Sequence, residues 1–311
     1  MKVLVVSGFL GAGKTTFIKE LIRKSGFQPV VLENEYGDNE IDKRDISKTG
    51  GLKILEFMEG CVCCTKKDSF LNTVLAISAG LDPEYLVVEP TGVGKLGNIL
   101  ENIGAVAYER IRVLPPVVVL CPRSFDENMA EYPEIYRNQI ENAGLVVFSK
   151  IENEDPAVVK SVTEKIKAIN PDADVLAGRY QEQEGGFFRS LLAGEQEAEK
   201  AVASAAEDDV DEISVRGGEF DSPAGLTVFL EQLVRGRFGA VVRAKGIVRI
   251  ADTLARFDAA DGLYAFTEED GKTPKQSVFI GRDIDADAIY ESMGVRRSKA
   301  LYANLLINGR K

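Results

Sequence analysis

Histidine is absent from all 311 residues of this chain. That excludes the side chain that most often serves as a general base near neutral pH and is the commonest metal ligand. Any chemistry must run on carboxylates, thiolates, lysines, hydroxyls and bound ions. Long apolar runs are missing too: none approaches the ~20 residues of a membrane-spanning helix. The apolar N-terminus is too short for the core of a secretion signal and is used by the first strand. A surplus of positive charge is also lacking. With 38 Lys and Arg against 49 Asp and Glu, the formal net charge is −11. This argues against a nucleic-acid partner and against an anionic membrane surface. Cysteine is scarce, and three of the four residues share one short window, which excludes a disulfide framework and fits a cytoplasmic protein. What is there is 45% hydrophobic and 28% charged residues, the composition of a globular chain with room for one large or two ordinary domains.

The most informative stretch is Gly8-Phe9-Leu10-Gly11-Ala12-Gly13-Lys14-Thr15-Thr16. It follows the apolar run Val3–Val6, which reads as a buried parallel strand. It precedes Phe17–Lys24, whose apolar residues at 17, 18, 21 and 22 mark one helix face. Strand, glycine-rich turn and helix are the required context of a Walker A loop. Such a loop closes backbone N–H groups around phosphate oxygens at a positive helix end. The expected nucleotide contacts are Gly8, Gly11, Ala12, Gly13, Lys14, Thr15 and Thr16. Lys14 neutralises the β- and γ-phosphates, and Thr15 offers its hydroxyl to Mg²⁺.

Further strands are predicted at 29–32, 52–58, 85–89, 117–120 and 145–148, with a helix at 66–79. Strands alternating with helices over ~150 residues imply a parallel sheet with right-handed crossovers. The fold expected is therefore α/β, a P-loop NTPase sheet with helices on both faces. Ligands of such sheets sit at the carboxyl ends of strands, where Glu33, the cysteines, Glu89 and Ser149-Lys150 all fall. Residues 181–212 turn acidic and poor in large apolar side chains. This predicts a nucleotide domain over 1–205 with the linker at its end, and a smaller α+β domain over 212–311. In the latter a helix is expected at 226–233, with strands around 241–250 and 277–281.

Three other constellations carry chemistry. Glu89 ends an apolar strand where a Walker B carboxylate belongs, and the Gly92 N–H that follows can sense the γ-phosphate. Ser149-Lys150-Ile151-Glu152 follows the strand at 145–148, at the place of a guanine-reading loop. A carboxylate there accepts from guanine N1–H and the 2-amino group, donors that adenine lacks. Glu152 keeps the carboxylate on a longer stem and Lys150 can lie along the base, so guanine is favoured and adenine is the competing base. Cys61-Val62-Cys63-Cys64 is the third. Chance would place three of four cysteines in one such window roughly once in a thousand sequences, so the cluster asks for a reason. Thiolates at this spacing can share a soft or borderline ion such as Zn²⁺ or Cu⁺. Three thiolates leave a tetrahedral site one ligand short, with Glu33 or Asp38 the candidates to complete it; a redox pair is the alternative. Cys121, at the end of an apolar strand, reads as core.

In this order, the Walker A loop, Glu33-Asn34-Glu35-Tyr36-Gly37-Asp38, Gly60-Cys61-Val62-Cys63-Cys64 and Glu89-Pro90-Thr91-Gly92 resemble the CobW family of P-loop GTPases, related to UreG and HypB. Arg243-Ala244-Lys245-Gly246 and Phe279-Ile280-Gly281 resemble that family's C-terminal domain. The resemblance implies a metallochaperone with slow intrinsic GTP hydrolysis that loads Zn²⁺ (or Co²⁺) at the Cys-x-Cys-Cys motif and passes it to a client metalloprotein. It also implies that residues 33–42 form a switch loop and that metal loading and nucleotide state are coupled. The chain departs from the family pattern at Ser149, at Glu152 and at Cys121, and it carries no histidine ligand. The water-positioning group is unassigned beyond Glu35, and the sequence leaves a homodimer open.

Overall fold

The computed structural model describes residues 1–36, 54–59, 66–107, 110–194, 198, 201–202, 210–269 and 275–295. Asp38, Cys61, Cys63 and Cys64 lie outside the described residues, as do residues 37–42 and most of the acidic 195–209 stretch; residues 33–36, expected to open a switch loop, instead continue a strand to Tyr36, paired with strands on both sides at Glu33. The chain divides into two compact units, Met1–Asp208 and Asp209–Lys311.

The first unit is built on a parallel sheet that has eight strands among the described residues. These are β1 (Lys2–Ser7), β2 (Val30–Tyr36), β3 (Ile54–Glu59), β4 (Tyr85–Glu89), β5 (Arg112–Val113), β6 (Val117–Leu120), β7 (Leu145–Phe148) and β8 (Asp174–Leu176). Their order is β3-β2-β4-β1-β6-β7-β8, with β5 also on β1. Strands β1, β4, β6 and β7 read as near-continuous Val and Leu because helices cover both faces of the sheet. Val3, Leu4, Val5 and Val6 are fully buried, as are Val117 to Leu120. The chain crosses from one side of β1 to the other between β4 and β6. The carboxyl ends of β1 and β4 therefore border the topological switch, where such sheets bind ligands.

Two aromatic clusters fix what lies around that edge. On one side, Phe17 of helix α1 (Lys14–Ser25) meets Tyr180 at 5.2 Å and Phe188 at 6.0 Å between ring centroids. On the other, Phe9 of the glycine loop packs on Tyr132 at 5.1 Å and on Tyr136 at 5.9 Å. Aromatic pairs at these spacings add about 0.5–1.5 kcal/mol each beyond their area burial. The loop is thus gripped through its own Phe9 as well as through its backbone. Cys121 is buried, as expected for a core position.

The second unit is an antiparallel sheet of order β13-β12-β11-β14-β9: β9 (Asp211–Arg216), β11 (Ala240–Ile250), β12 (Thr253–Ala260), β13 (Leu263–Glu269) and β14 (Gln276–Arg282). The short β10 (Glu219–Phe220) runs parallel to β11. The helix Pro223–Val234 buries Leu226, Phe229, Leu230 and Leu233 into this unit's own core. Ser222 caps it by accepting from the Gly225 N–H at 3.3 Å. The sequence reading found β11, β14 and the helix but missed the β12–β13 hairpin. Its turn, Asp261-Gly262, has both residues at positive φ, 53° and 68°, the Asp-Gly signal of a two-residue hairpin. Among the described residues no helix is long and apolar enough to cross a membrane.

Candidate nucleotide site

The glycine loop leaves β1 through Gly8, whose φ of 144° few residues adopt. A Cβ there would stand 2.2 Å from the Val119 carbonyl oxygen, so β6 can approach only a glycine. The loop then turns through Gly11 and Gly13 into α1. The Ala12 N–H donates to the Phe9 carbonyl at 3.2 Å and the Phe17 N–H to the Gly13 carbonyl at 3.0 Å. Lys14 is buried, and its Nζ donates to the Gly8 and Phe9 carbonyls at 3.0 and 3.3 Å. The ammonium is held within the loop and does not reach into solvent. Thr16 is exposed at the rim.

The Walker B expectation meets the glycine loop here. Thr15 Oγ1 donates to Glu89 Oε1 at 2.8 Å, joining positions 74 residues apart. Strands β1 and β4 run in register from Lys2↔Tyr85 to Val5↔Val88, which brings their carboxyl ends level. Register also sets Glu33 opposite Glu89 across β2 and β4, so the two carboxylates stand on one face of the sheet. Glu33 is buried. A hydroxyl and carboxylates clustered at a strand edge are hard oxygen donors of the kind Mg²⁺ takes.

Gly92 closes the site from the β4 side. A Cβ on it would lie 2.5 Å from the Leu10 nitrogen, so this turn rests directly on the glycine loop. Gln139 holds it there: its Nε2 donates to the Gly92 and Gly94 carbonyls, both at 3.1 Å. Asn138 Oδ1 accepts from the Gly97 N–H at 2.9 Å. Both amides come from the helix Pro133–Glu141, and sequence reasoning missed both. In the structure both are buried, on a helix whose other inward residues are Ile135, Tyr136 and Ile140, and no local pattern marks them.

The Ser149–Glu152 loop, expected to read the base, also comes to the glycine loop. Ser149 is buried, donates to the Leu120 carbonyl at 3.3 Å, and its Cβ lies 3.6 Å from the position of a Cβ on Gly13. Lys150 is exposed with φ at 56°, and Glu152 is exposed. Burial pushes the Tyr180 phenol up to about 12, assisted by the negative charges of Glu20 and Glu152. Glu152 therefore lies within electrostatic reach of the segment after β8. Of the expected metal ligands only Glu33 is described. The cysteine segment lies between the end of β3 at Glu59 and the helix that starts at Lys66, and β3 is the direct neighbour of β2.

Two family models match the chain. The CobW/HypB/UreG nucleotide-binding domain covers residues 2–177, and the cobalamin synthesis protein CobW C-terminal domain covers residues 211–295. Among curated proteins, the chain is 32% identical over 158 residues to zinc chaperone YeiR of Escherichia coli, a match spanning 49% of this chain and 47% of YeiR. It is 24% identical over 308 residues to zinc chaperone YjiA of the same organism, spanning 92% of this chain and 96% of YjiA. The crystal structure of the Zn(II)-bound YjiA GTPase superimposes with a TM-score of 0.47 at 21% identity, covering 96% of this chain and 99% of that one. The first family match takes in more than half of the chain, including the glycine loop, Glu33, Glu89 and the Ser149–Glu152 loop. The chain is a member of the CobW/HypB/UreG family, with a nucleotide-binding domain followed by a CobW C-terminal domain.

Proposed function

We propose that this chain is a cytoplasmic GTPase that acts as a zinc chaperone, loading the metal at Cys61, Cys63 and Cys64 and delivering it to a client metalloprotein. The observation that carries the reading is the 2.8 Å hydrogen bond between Thr15 and Glu89, which sets the two groups a P-loop hydrolase directs at Mg²⁺ side by side. Mg²⁺, when bound there, neutralises the charge of the β- and γ-phosphate oxygens. Lys14 adds a second positive charge from inside the loop. The Gly92 turn, resting on Leu10, brings an N–H close to where a terminal phosphate would end. Lys150 and Glu152 read the base, which favours guanine over adenine. The zinc assignment is supported by the relatives named zinc chaperones and by thiolates being the ligands zinc favours. Co²⁺ is the runner-up cargo.

The sheet supports coupling between the two proposed sites. Glu33 lies in the strand that leads into the proposed switch segment and shares a sheet face with Glu89. Charge gained or lost at the phosphate side is felt one strand away, in a buried setting where water screens little. Asp38 and Glu33 are the carboxylates that would complete the thiolate site in one nucleotide state and leave it in the other.

Hydrolysis assays on the wild type and on Thr15→Ala and Glu89→Gln test the nucleotide half. With Mg²⁺ present, GTP turnover should be slow but measurable and exceed ATP turnover. Each substitution should lower it by about 10- to 100-fold, the range seen when a group orienting a metal is removed. Equal turnover of GTP and ATP would overturn the base assignment, and unchanged turnover in Glu89→Gln would overturn the role of β4.

A further inference from the structure

Lys95 has no part in any role described so far. It follows the Glu89-Pro90-Thr91-Gly92 turn and occupies the N-cap position of the helix Leu96–Ala105, with extended backbone and no side-chain cap. Its Nζ is sealed from solvent and, among the described residues, makes no hydrogen bond or ion pair. Both features work against the fold. A cation at a helix N-terminus faces the positive end of the macrodipole, where Asp, Ser or Thr would stabilise. A buried ammonium without an acceptor has lost its hydration and gained nothing in return.

The backbone carrying this charge is held firmly. The Gly94 N–H donates to the Thr91 carbonyl at 3.0 Å, closing the turn. Gln139 pins the Gly92 and Gly94 carbonyls, and Asn138 pins the Gly97 N–H on the far side of Lys95. The same turn is pressed against Leu10 of the glycine loop, with no room for a Cβ at Gly92. The turn that carries this unpartnered ammonium rests on the glycine loop through Gly92, and Lys95 lies six residues past Glu89. What it lacks is an anionic oxygen.

We infer that Lys95 reads the terminal phosphate: its ammonium pairs with an oxygen of the γ-phosphate, so that the site distinguishes nucleoside triphosphate from diphosphate. The assignment depends on the nucleotide-site reading above. It adds a cation supplied in cis from the turn after β4, at a position the family motif reading passed over. The burden that Lys95 places on the free protein is the counterpart of its preference for the triphosphate.

Binding of fluorescent GTPγS and GDP, together with thermal melts, on the full-length wild type and on Lys95→Met tests this. Lys95→Met should weaken GTPγS by about tenfold or more, the scale of one charge-assisted hydrogen bond, and leave GDP affinity within about twofold. Without nucleotide, Lys95→Met should melt above the wild type, because an apolar side chain of similar length replaces an unpaired buried charge. A variant that keeps the wild-type ratio of GTPγS to GDP affinity would overturn the assignment, as would one that melts below the wild type in the absence of nucleotide. Wild type that binds neither nucleotide would overturn the P-loop reading itself, and this assignment with it.

Discussion

Tyr180 shows how a single buried group ties the site to the stability of the first unit. Its ring packs edge-on against Phe17 of α1, and burial together with Glu20 and Glu152 pushes its phenol up to about 12. The folded state therefore holds this proton more tightly than the unfolded chain, where a tyrosine titrates near 10. The stability it contributes is fully present below about pH 10 and is lost as pH rises from there through about 12. Tyr180→Phe should flatten that alkaline loss, measured by urea unfolding at about pH 9 and about pH 11.5. Tyr85, likewise pushed up to about 12 by burial and Glu84, keeps part of the slope in the variant. An unchanged slope would show that the phenol does not titrate with unfolding. Lys95 belongs to this scale as well. Its identity is plain in the sequence, but that its ammonium is buried without an acceptor is a tertiary fact that no local pattern announces.

At the scale of elements, the site is assembled by helices that sequence motifs do not mention. The helix Pro133–Glu141 sends Asn138 and Gln139 to the turn after β4, and Asn170 then fastens that helix's end to the segment leading into β8. Asn170 Nδ2 donates to the carbonyls of Ile140, Glu141 and Ala143 at 2.9, 3.2 and 3.0 Å. Its Oδ1 accepts from the N–H groups of Asp172 and Ala173 at 3.2 and 3.0 Å. Asn170→Ala strands several backbone groups at once and should destabilise the protein by about 2–4 kcal/mol, read from denaturant melts. A loss of only a few tenths would mean that these groups find other partners. Legibility at this scale divides cleanly. Parallel strands buried on both faces gave themselves away as apolar runs rich in Val and Leu at 3–6, 85–89, 117–120 and 145–148. The Thr15–Glu89 meeting was legible too, because each residue ends or follows such a strand. The β12–β13 hairpin was not: Thr253–Ala260 alternates Ala with Arg and Asp, too weak a pattern to stand out, and only the Asp261-Gly262 turn marked it. Gln139 was not legible because its partners are backbone carbonyls 45 and 47 residues away.

At the scale of the whole molecule, the first unit brings together three readings made separately from sequence. The glycine loop, the β4 carboxylate and the Ser149–Glu152 loop all lie at the carboxyl ends of strands of one sheet, and the Ser149 Cβ lies 3.6 Å from where a Cβ on Gly13 would stand. The register that levels Glu33 with Glu89 sets two carboxylates of neighbouring strands side by side, and the proposed coupling needs such a group that both ligands bias. The second unit has its own core around Phe229, Phe257 and Phe279. Coupling is also reciprocal: zinc must change the preference for GTPγS over GDP by the same factor as nucleotide changes zinc affinity. The measurement that bears most directly on this is a zinc titration of the full-length protein against a competing chelator, once saturated with GTPγS and once with GDP. The expected result is a difference in zinc affinity of about 5-fold or more between the two states, abolished in Cys63→Ser. Equal zinc affinity in both nucleotide states would contradict a nucleotide-switched zinc site.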